Sequence, residues 1–156
     1  RAFNSIYFVG QNGWIVGELG SILRTEDGGA NWIPVETENK VSLMGVTFRD
    51  AQHGVAVGLT GTLLVTNDGG LSWTEVPDLT REHLLDVVWD ENRWLAVGDK
   101  GVMATSDAEA SAWKVSRLSE GDVAWRTSIV KVGSRYFVAG ANLGILEDGK
   151  MTVVGR

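Results

Sequence analysis

Apolar residues along this chain come in short runs, separated by glycine-rich turns and polar positions. Typical runs are Ser5–Val9, Trp14–Val16 and Ser21–Thr25. No apolar stripe with a 3.6-residue period and the length of a helix occurs in the sequence. The pattern therefore predicts short strands joined by tight turns, and an all-β fold.

These runs recur with a period of about 41 residues. The pair Val16-Gly17 returns as Val57-Gly58, Val97-Gly98 and Ala139-Gly140, so that its glycine recurs after 41, 40 and 42 residues. A second glycine follows each pair, and the tryptophans keep the same spacing at Trp32, Trp73 and Trp113. A period near 40 residues with only β segments is typical of four-stranded propeller blades.

The repeat predicts a β-propeller region over 1–156 with four four-stranded antiparallel blades, approximately 1–37, 38–78, 79–118 and 119–156. The predicted first strands are Ser5–Val9, Val41–Phe48, Leu84–Trp89 and Arg126–Val132. Between the second and third strands, two residues bracketed by glycines predict a primed hairpin turn with positive φ. These pairs are Glu18-Leu19, Leu59-Thr60 and Asp99-Lys100.

The turn before the fourth strand carries the most specific motif, an Asp-box that is complete in Thr66–Trp73. A short carboxylate in such a turn accepts bonds from unpaired N–H groups, the glycines allow positive φ, and the indole packs beneath and finds a hydrogen-bond partner. We therefore predict a structural role for Thr25, Asp27, Gly29, Trp32, Thr66, Asp68, Gly70 and Trp73. Calcium needs six or more converging oxygens, so one Asp per turn predicts no metal site.

Composition and charge exclude several classes of function. With 20 acidic and 14 basic residues the net charge is −6, and no Lys/Arg run offers a nucleic-acid surface. No apolar stretch approaches the roughly 20 residues that span a bilayer. The absence of cysteine removes disulfides and thiol chemistry. Nucleotide-binding glycine motifs are also missing, so we predict no cofactor.

Catalytic residues are not evident either. Glycoside hydrolysis requires a pair of carboxylates across a cleft. Asp86, near the start of an inner strand, is the one candidate, and no partner is apparent. His53 and His83 lie in loops about 30 residues apart, without a nucleophile at motif spacing. We predict no catalytic residue, and keep a glycoside hydrolase or glycan-binding propeller, with its site partly outside this chain, as the alternative.

The stretch Gly13–Trp32 reads Gly-Trp-x-Val-Gly-x-x-Gly-x-Ile-Leu-x-Thr-x-Asp-Gly-Gly-x-x-Trp. This pattern resembles the photosystem II assembly/stability factor propellers and their relatives in non-photosynthetic bacteria, over essentially the whole chain. The resemblance implies a propeller, commonly of seven blades, that lies outside the cytoplasm (periplasm or cell envelope) and acts as a non-catalytic, protein-binding scaffold. Photosynthetic members engage photosystem subunits through an arginine patch. Here the arginines are scattered, and the Asp-box alone also occurs in sialidases and xyloglucanases.

By analogy with other propellers, a partner is expected on the face built from the blade-linking loops and the turns between second and third strands. As a hypothesis at the level of that face, binding is assigned to Glu18, Glu38, Lys40, Arg81, His83, Asp86, Asp99, Lys100 and Arg126. Four blades also leave two apolar sheet faces that seek partners. We expect a piece of a larger ring, or a ring completed by self-association.

Overall fold

The computed structural model describes residues 1–155, which form sixteen β-strands and contain no α-helix. Accordingly, these residues include no helix long and apolar enough to cross a membrane. The strands are β1 (Phe3–Val9), β2 (Asn12–Gly17), β3 (Ile22–Thr25), β4 (Ile33–Val35), β5 (Leu43–Phe48), β6 (Gly54–Gly58), β7 (Leu63–Thr66), β8 (Thr74–Glu75), β9 (Leu84–Trp89), β10 (Trp94–Gly98), β11 (Val102–Ser106), β12 (Lys114–Arg117), β13 (Arg126–Val132), β14 (Arg135–Gly140), β15 (Leu143–Glu147) and β16 (Lys150–Val154).

Each set of four consecutive strands forms one antiparallel sheet in chain order. We call these sheets blade 1 (β1–β4), blade 2 (β5–β8), blade 3 (β9–β12) and blade 4 (β13–β16). The predicted all-β fold with four four-stranded antiparallel blades is confirmed. The first strands β9 and β13 have the predicted bounds, whereas β1 begins two residues earlier and β5 two residues later than predicted.

The hydrophobic core lies between the blades, in three layers that join each blade to the next. Between blades 1 and 2, the rings of Trp14 and Phe48 stack with their centroids 3.5 Å apart and their planes 9° apart. Val16, Ile22 and Leu43 are buried in the same layer. Because adjacent sheets pack face to face, the first strands of successive blades lie side by side, and they form the concave inner side of the arc.

The repeated Val-Gly pair is explained by a close backbone approach. A Cβ atom on Gly17, Gly58, Gly98 or Gly140 would overlap the carbonyl oxygen of the residue just before the first strand of the same blade. The residue after each of these glycines donates its N–H to that same carbonyl, at 3.0 Å in all four blades. The glycine therefore allows the turn to form a backbone hydrogen bond to the residue that precedes the first strand.

The primed turn is present, but its central residues lie one position later than predicted. In blade 1 they are Leu19 and Gly20, with φ of 55° and 71°, and the Ser21 N–H donates to the Glu18 carbonyl at 3.1 Å. The short 3-10 turns Glu18–Gly20, Leu59–Gly61 and Asp99–Gly101 all have this form. Two successive positive φ angles define a type I′ turn. The turn lies one position later because the backbone of Gly17 is extended, with φ −168°. The left-handed glycine of the turn is therefore Gly20.

Candidate functional site

The Asp-box carboxylates are bonded within their own turns. Asp68 accepts the Ser72 N–H at 3.0 Å, the Ser72 hydroxyl at 2.5 Å and the Thr66 hydroxyl at 2.8 Å. Burial alone would raise the pKa of Asp68, but these hydrogen bonds outweigh it and lower the pKa. In the first box, hydrogen bonds from Asn31 and Thr25 lower the pKa of Asp27 to about 2. Among residues 1–155, no group of three or more His, Asp or Glu side chains lies together as metal ligands.

The Asp-box turns also hold neighbouring blades together. The indole N–H of Trp14 in blade 1 donates to the Gly69 carbonyl in the turn of blade 2 at 2.8 Å, and Arg24 Nε donates to the same oxygen at 2.8 Å. The tryptophan of that box itself, Trp73, has a buried Nε1 with no hydrogen-bond partner among residues 1–155. The expectation that its N–H finds a partner is thus not met. The preceding blade supplies the indole that bonds to this turn.

The face that carries the blade-linking loops and the type I′ turns is here called the loop face. On it, three of the predicted binding residues come together at the junction of blades 2 and 3. His83 Nδ1 accepts the Thr60 N–H at 2.8 Å, and His83 Nε2 lies 3.9 Å from an Asp99 carboxylate oxygen. The Lys100 carbonyl accepts from Arg117 at 3.0 Å. Thr60, His83, Asp99 and the Lys100 backbone thus form one cluster, while the Lys100 side chain itself is exposed.

Arg117 extends this cluster with a two-point ion pair. Its Nη1 and Nη2 atoms lie 2.8 and 2.5 Å from the two carboxylate oxygens of Glu82. The hydrogen bond from Arg117 is the main reason why the pKa of Glu82 is lowered, and the same bond raises the pKa of Arg117. Bidentate Arg–carboxylate pairs have restricted geometry, so this pair anchors the edge of the cluster.

Within residues 1–155, the other predicted binding residues make no side-chain hydrogen bond or ion pair to this cluster. Glu18 accepts the Ala2 N–H at 2.9 Å, Glu38 and Lys40 are exposed in the first linking loop, and Arg81 lines a groove below the blade 2 turn. Arg126 is completely buried, because it occupies the first-strand position that a core leucine fills in blades 2 and 3. Its Nη2 lies 3.2 Å from the Asp122 carboxylate.

Asp86 lies on the inner strand β9, where it lines a groove of about 450 Å³ along the concave side of the arc. Its Oδ1 accepts the Val87 N–H and its Oδ2 accepts the Ile129 N–H of blade 4, each at 2.9 Å. Burial raises the pKa of Asp86, although both hydrogen bonds act in the opposite direction. The carboxylate therefore links the inner strands of blades 3 and 4.

Two exposed apolar residues on the loop face were not predicted. Val123 and Trp125 lie in the loop that links blades 3 and 4, and they are 77% and 49% exposed. The carbonyl of Ala124, between them, accepts the Gly101 N–H at 2.8 Å, which holds this loop beside the Lys100 turn. Trp125 lies outside the regular spacing of Trp32, Trp73 and Trp113. Trp14, Trp89 and Trp94 depart from that spacing too, and Trp14 and Trp94 are buried, so the spacing alone could not have identified it.

The fold defines this chain as a set of β-propeller blades. No protein-family model matches the sequence, and no curated protein does either. Solved structures do match, over 99% of this chain: YCF48 bound to D1 peptide (20% identity, TM-score 0.79), YCF48 from Cyanidioschyzon merolae (20%, 0.74) and an ancestral GH74 enzyme (17%, 0.68). The chain covers 53%, 56% and 24% of those chains, so it spans about half the length of the first two.

Proposed function

We propose that this chain is a non-catalytic propeller scaffold that binds a protein partner through a patch on the loop face. The patch comprises Trp125, Val123, Lys100, Asp99 and His83, and is called the loop-face patch below. The observation that carries the proposal is the exposed Trp125. It lies beside the Lys100 turn, which is held by the hydrogen bonds from Gly101 to Ala124 and from Arg117 to Lys100.

Both the composition and the rigidity of this patch suit it to binding a protein partner. Tryptophan is among the residues that most often dominate the binding energy at protein interfaces, and Trp125 is the tryptophan exposed in this patch. Hydrogen bonds from the Thr60 N–H to His83 and from Arg117 to the Lys100 carbonyl hold the surroundings in one arrangement. A preordered surface loses less conformational entropy when it binds. The loop-face patch therefore has the features of an anchoring site for a peptide segment.

The comparisons support this proposal at the level of the fold. One of the similar solved structures is YCF48 bound to D1 peptide, which is a propeller engaged with a peptide. A role like that of an assembly or stability factor for a membrane complex, and a location outside the cytoplasm, belong to the same proposal. They rest on the resemblance of the repeat.

The test is site-specific crosslinking. A photo-crosslinking amino acid at position 125 should capture a discrete partner in extracts of the source cells, and the same group at the exposed position Leu71 should not. With that partner purified, Trp125→Ala should weaken binding about 30-fold, since a hot-spot residue contributes about 2 kcal/mol. The free energy of unfolding should fall by about 1 kcal/mol, well below the about 3–5 kcal/mol that a core Trp→Ala change costs, because half of the side chain is exposed. Unchanged affinity in Trp125→Ala would contradict the proposal.

A second candidate, a carbohydrate-active propeller, has one observation in its favour. Asp86 lines the inner groove and its pKa is raised, as a general acid requires. Against this, both of its oxygens already accept backbone N–H groups, and glycoside hydrolysis needs a second carboxylate. Hydrolysis of a panel of glycans by the chain, abolished in Asp86→Asn, would favour this candidate over the scaffold.

A further inference from the structure

The residue just before the first strand has two tasks in blades 2 and 3. It is Ser42 in blade 2 and His83 in blade 3, and the carbonyl of each accepts an N–H group of its own blade at 3.0 Å. The Ser42 hydroxyl also accepts the Leu19 N–H from the type I′ turn of blade 1, at 3.2 Å. In the same way, His83 Nδ1 accepts the Thr60 N–H from the turn of blade 2, at 2.8 Å. A side-chain acceptor on the linking loop thus caps the first left-handed residue of each of these two turns.

Trp125 occupies this position in blade 4. Its carbonyl accepts the Ala141 N–H at 3.0 Å, as the corresponding carbonyls do in the other blades. In the turn of blade 3, Lys100 has the position and the left-handed backbone of Leu19 and Thr60, with φ 51°. An indole can donate a hydrogen bond but cannot accept one. Accordingly, the Lys100 N–H has no acceptor among residues 1–155, unlike its two counterparts.

Other contacts hold the Lys100 turn in place. Arg117 Nη1 donates to the Lys100 carbonyl at 3.0 Å, and the Gly101 N–H donates to the Ala124 carbonyl at 2.8 Å. Arg117 is itself held by its two-point ion pair with Glu82. The Lys100 N–H therefore has a fixed direction although its own acceptor is missing from these residues. A donor that is already oriented loses little conformational entropy when a partner bonds to it.

The groups around this donor favour a partner that is neutral and partly apolar. Val123 and Trp125 are 77% and 49% exposed, and they provide the apolar surface. The exposed Lys100 side chain and the half-buried Asp99 carboxylate carry opposite charges on adjacent residues, so the turn has no net charge that would attract an anion. An extended peptide meets both requirements, because main-chain carbonyls and side chains alternate along it.

We infer, resting on the proposed function, that the loop-face patch binds an extended peptide segment whose main-chain carbonyl accepts the Lys100 N–H. An apolar side chain of the same segment packs on Trp125. The peptide carbonyl takes the place that the Ser42 hydroxyl and the His83 ring take at the other two turns. Trp125 thus acts twice, because its ring offers apolar surface and its lack of an acceptor leaves the turn donor available to the partner.

Amide hydrogen exchange in the chain alone, followed by NMR, tests whether the Lys100 N–H is uncapped. A hydrogen bond of ordinary strength slows exchange about fivefold, so Leu19 and Thr60 should exchange about fivefold more slowly than Lys100. Trp125→Ser supplies the acceptor that Ser42 provides in blade 2, and it should slow exchange at Lys100 by about the same factor. Trp125→Ala supplies no acceptor and should not slow it. Equal exchange at Lys100 in these two variants would overturn the inference.

A titration with N-acetyl-leucine methylamide tests the acceptor, since this neutral probe carries main-chain carbonyls and one apolar side chain. The Lys100 amide proton should move downfield and the Trp125 indole resonance should move along the same curve, while the capped Leu19 amide stays in place. Trp125→Ser should abolish the Lys100 shift. N-acetyl-leucine, which ends in a charged carboxylate, is the comparison. Tighter binding of that anion, an indole shift without a Lys100 shift, or no shift with either probe would each overturn the carbonyl acceptor.

The partner captured by crosslinking at position 125 separates this inference from the proposed function. Trp125→Ser should bind that partner about fivefold more weakly than Trp125→Ala, because both lack the indole and only serine caps the Lys100 N–H. Ser42→Ala, which uncaps Leu19 at another junction, is the matched control and should bind like wild type. Equal affinities of Trp125→Ser and Trp125→Ala, both weaker than wild type, would overturn the carbonyl contact and leave the proposed function standing. Wild-type affinity in Trp125→Ala would overturn the proposed function and the contact together.

Discussion

Gly58 provides a direct test of why the Val-Gly pair recurs in this chain. A Cβ on Gly58 would overlap the carbonyl oxygen of Ser42 and lie 3.0 Å from Leu43 Cα, both of which are backbone atoms that cannot rotate away. Gly58→Ala must therefore move the backbone and break the bond from the Leu59 N–H to the Ser42 carbonyl, now 3.0 Å long. Overpacking costs about 1–3 kcal/mol and a lost hydrogen bond about 1 kcal/mol more.

A smaller effect partly offsets this loss. Alanine reduces the conformational entropy of the unfolded chain, which stabilises the fold by about 0.5 kcal/mol. The net loss expected for Gly58→Ala is therefore about 1.5–3.5 kcal/mol. The backbone of Gly58 is already extended, with φ −161°, so no dihedral strain adds to it.

Equilibrium urea unfolding followed by tryptophan fluorescence measures this loss, and hydrogen exchange at the Leu59 amide locates it. The control is Gly133→Ala, where a Cβ would meet nothing within 4 Å and only the positive φ of 61° is unfavourable, at about 1 kcal/mol. If Gly58→Ala cost less than this control, or left exchange at Leu59 unchanged, the close-approach explanation would be wrong.

Three further predictions concern charged groups. Because the folded-state pKa of Asp27 is lowered to about 2, its contribution to stability is present above the unfolded pKa of about 4 and lost as pH falls toward 2. In Asp27→Asn, the free energy of unfolding measured in acid should depend less on pH between about 4 and about 2 than it does in wild type. The pKa of Asp86 is raised by burial, so its contribution is largest at low pH. The stability advantage of wild type over Asp86→Asn should shrink as pH rises above the ordinary Asp pKa of about 4. Arg126→Leu alone leaves the buried Asp122 carboxylate without its ion pair and should lower the free energy of unfolding by about 3 kcal/mol. Arg126→Leu combined with Asp122→Asn should unfold in urea with a free energy within about 1 kcal/mol of wild type.

The candidate site was predictable only in part. The loop face followed from the repeat, and the structure brings His83, Asp99 and Lys100 together on it. The sequence could not tell that Arg126 is buried while its neighbour Trp125 is exposed. Arg126 is the first residue of β13 and pairs with Gly140, in the position that a core leucine takes in blades 2 and 3, whereas Trp125 belongs to the loop before the strand.

The sequence by itself determined the strands, their order within each blade and the positions of the turns. These features depend on hairpins whose partners lie within about 15 residues, and the hydrogen bonds that shape each Asp-box turn lie inside one such hairpin. Only the tertiary structure decided which sheet faces are covered. Ile6 and Val46 occupy equivalent positions and are both apolar, yet Val46 is buried and Ile6 is exposed. The difference arises because burial depends on a neighbouring blade, and blade 1 has none before it in the described chain.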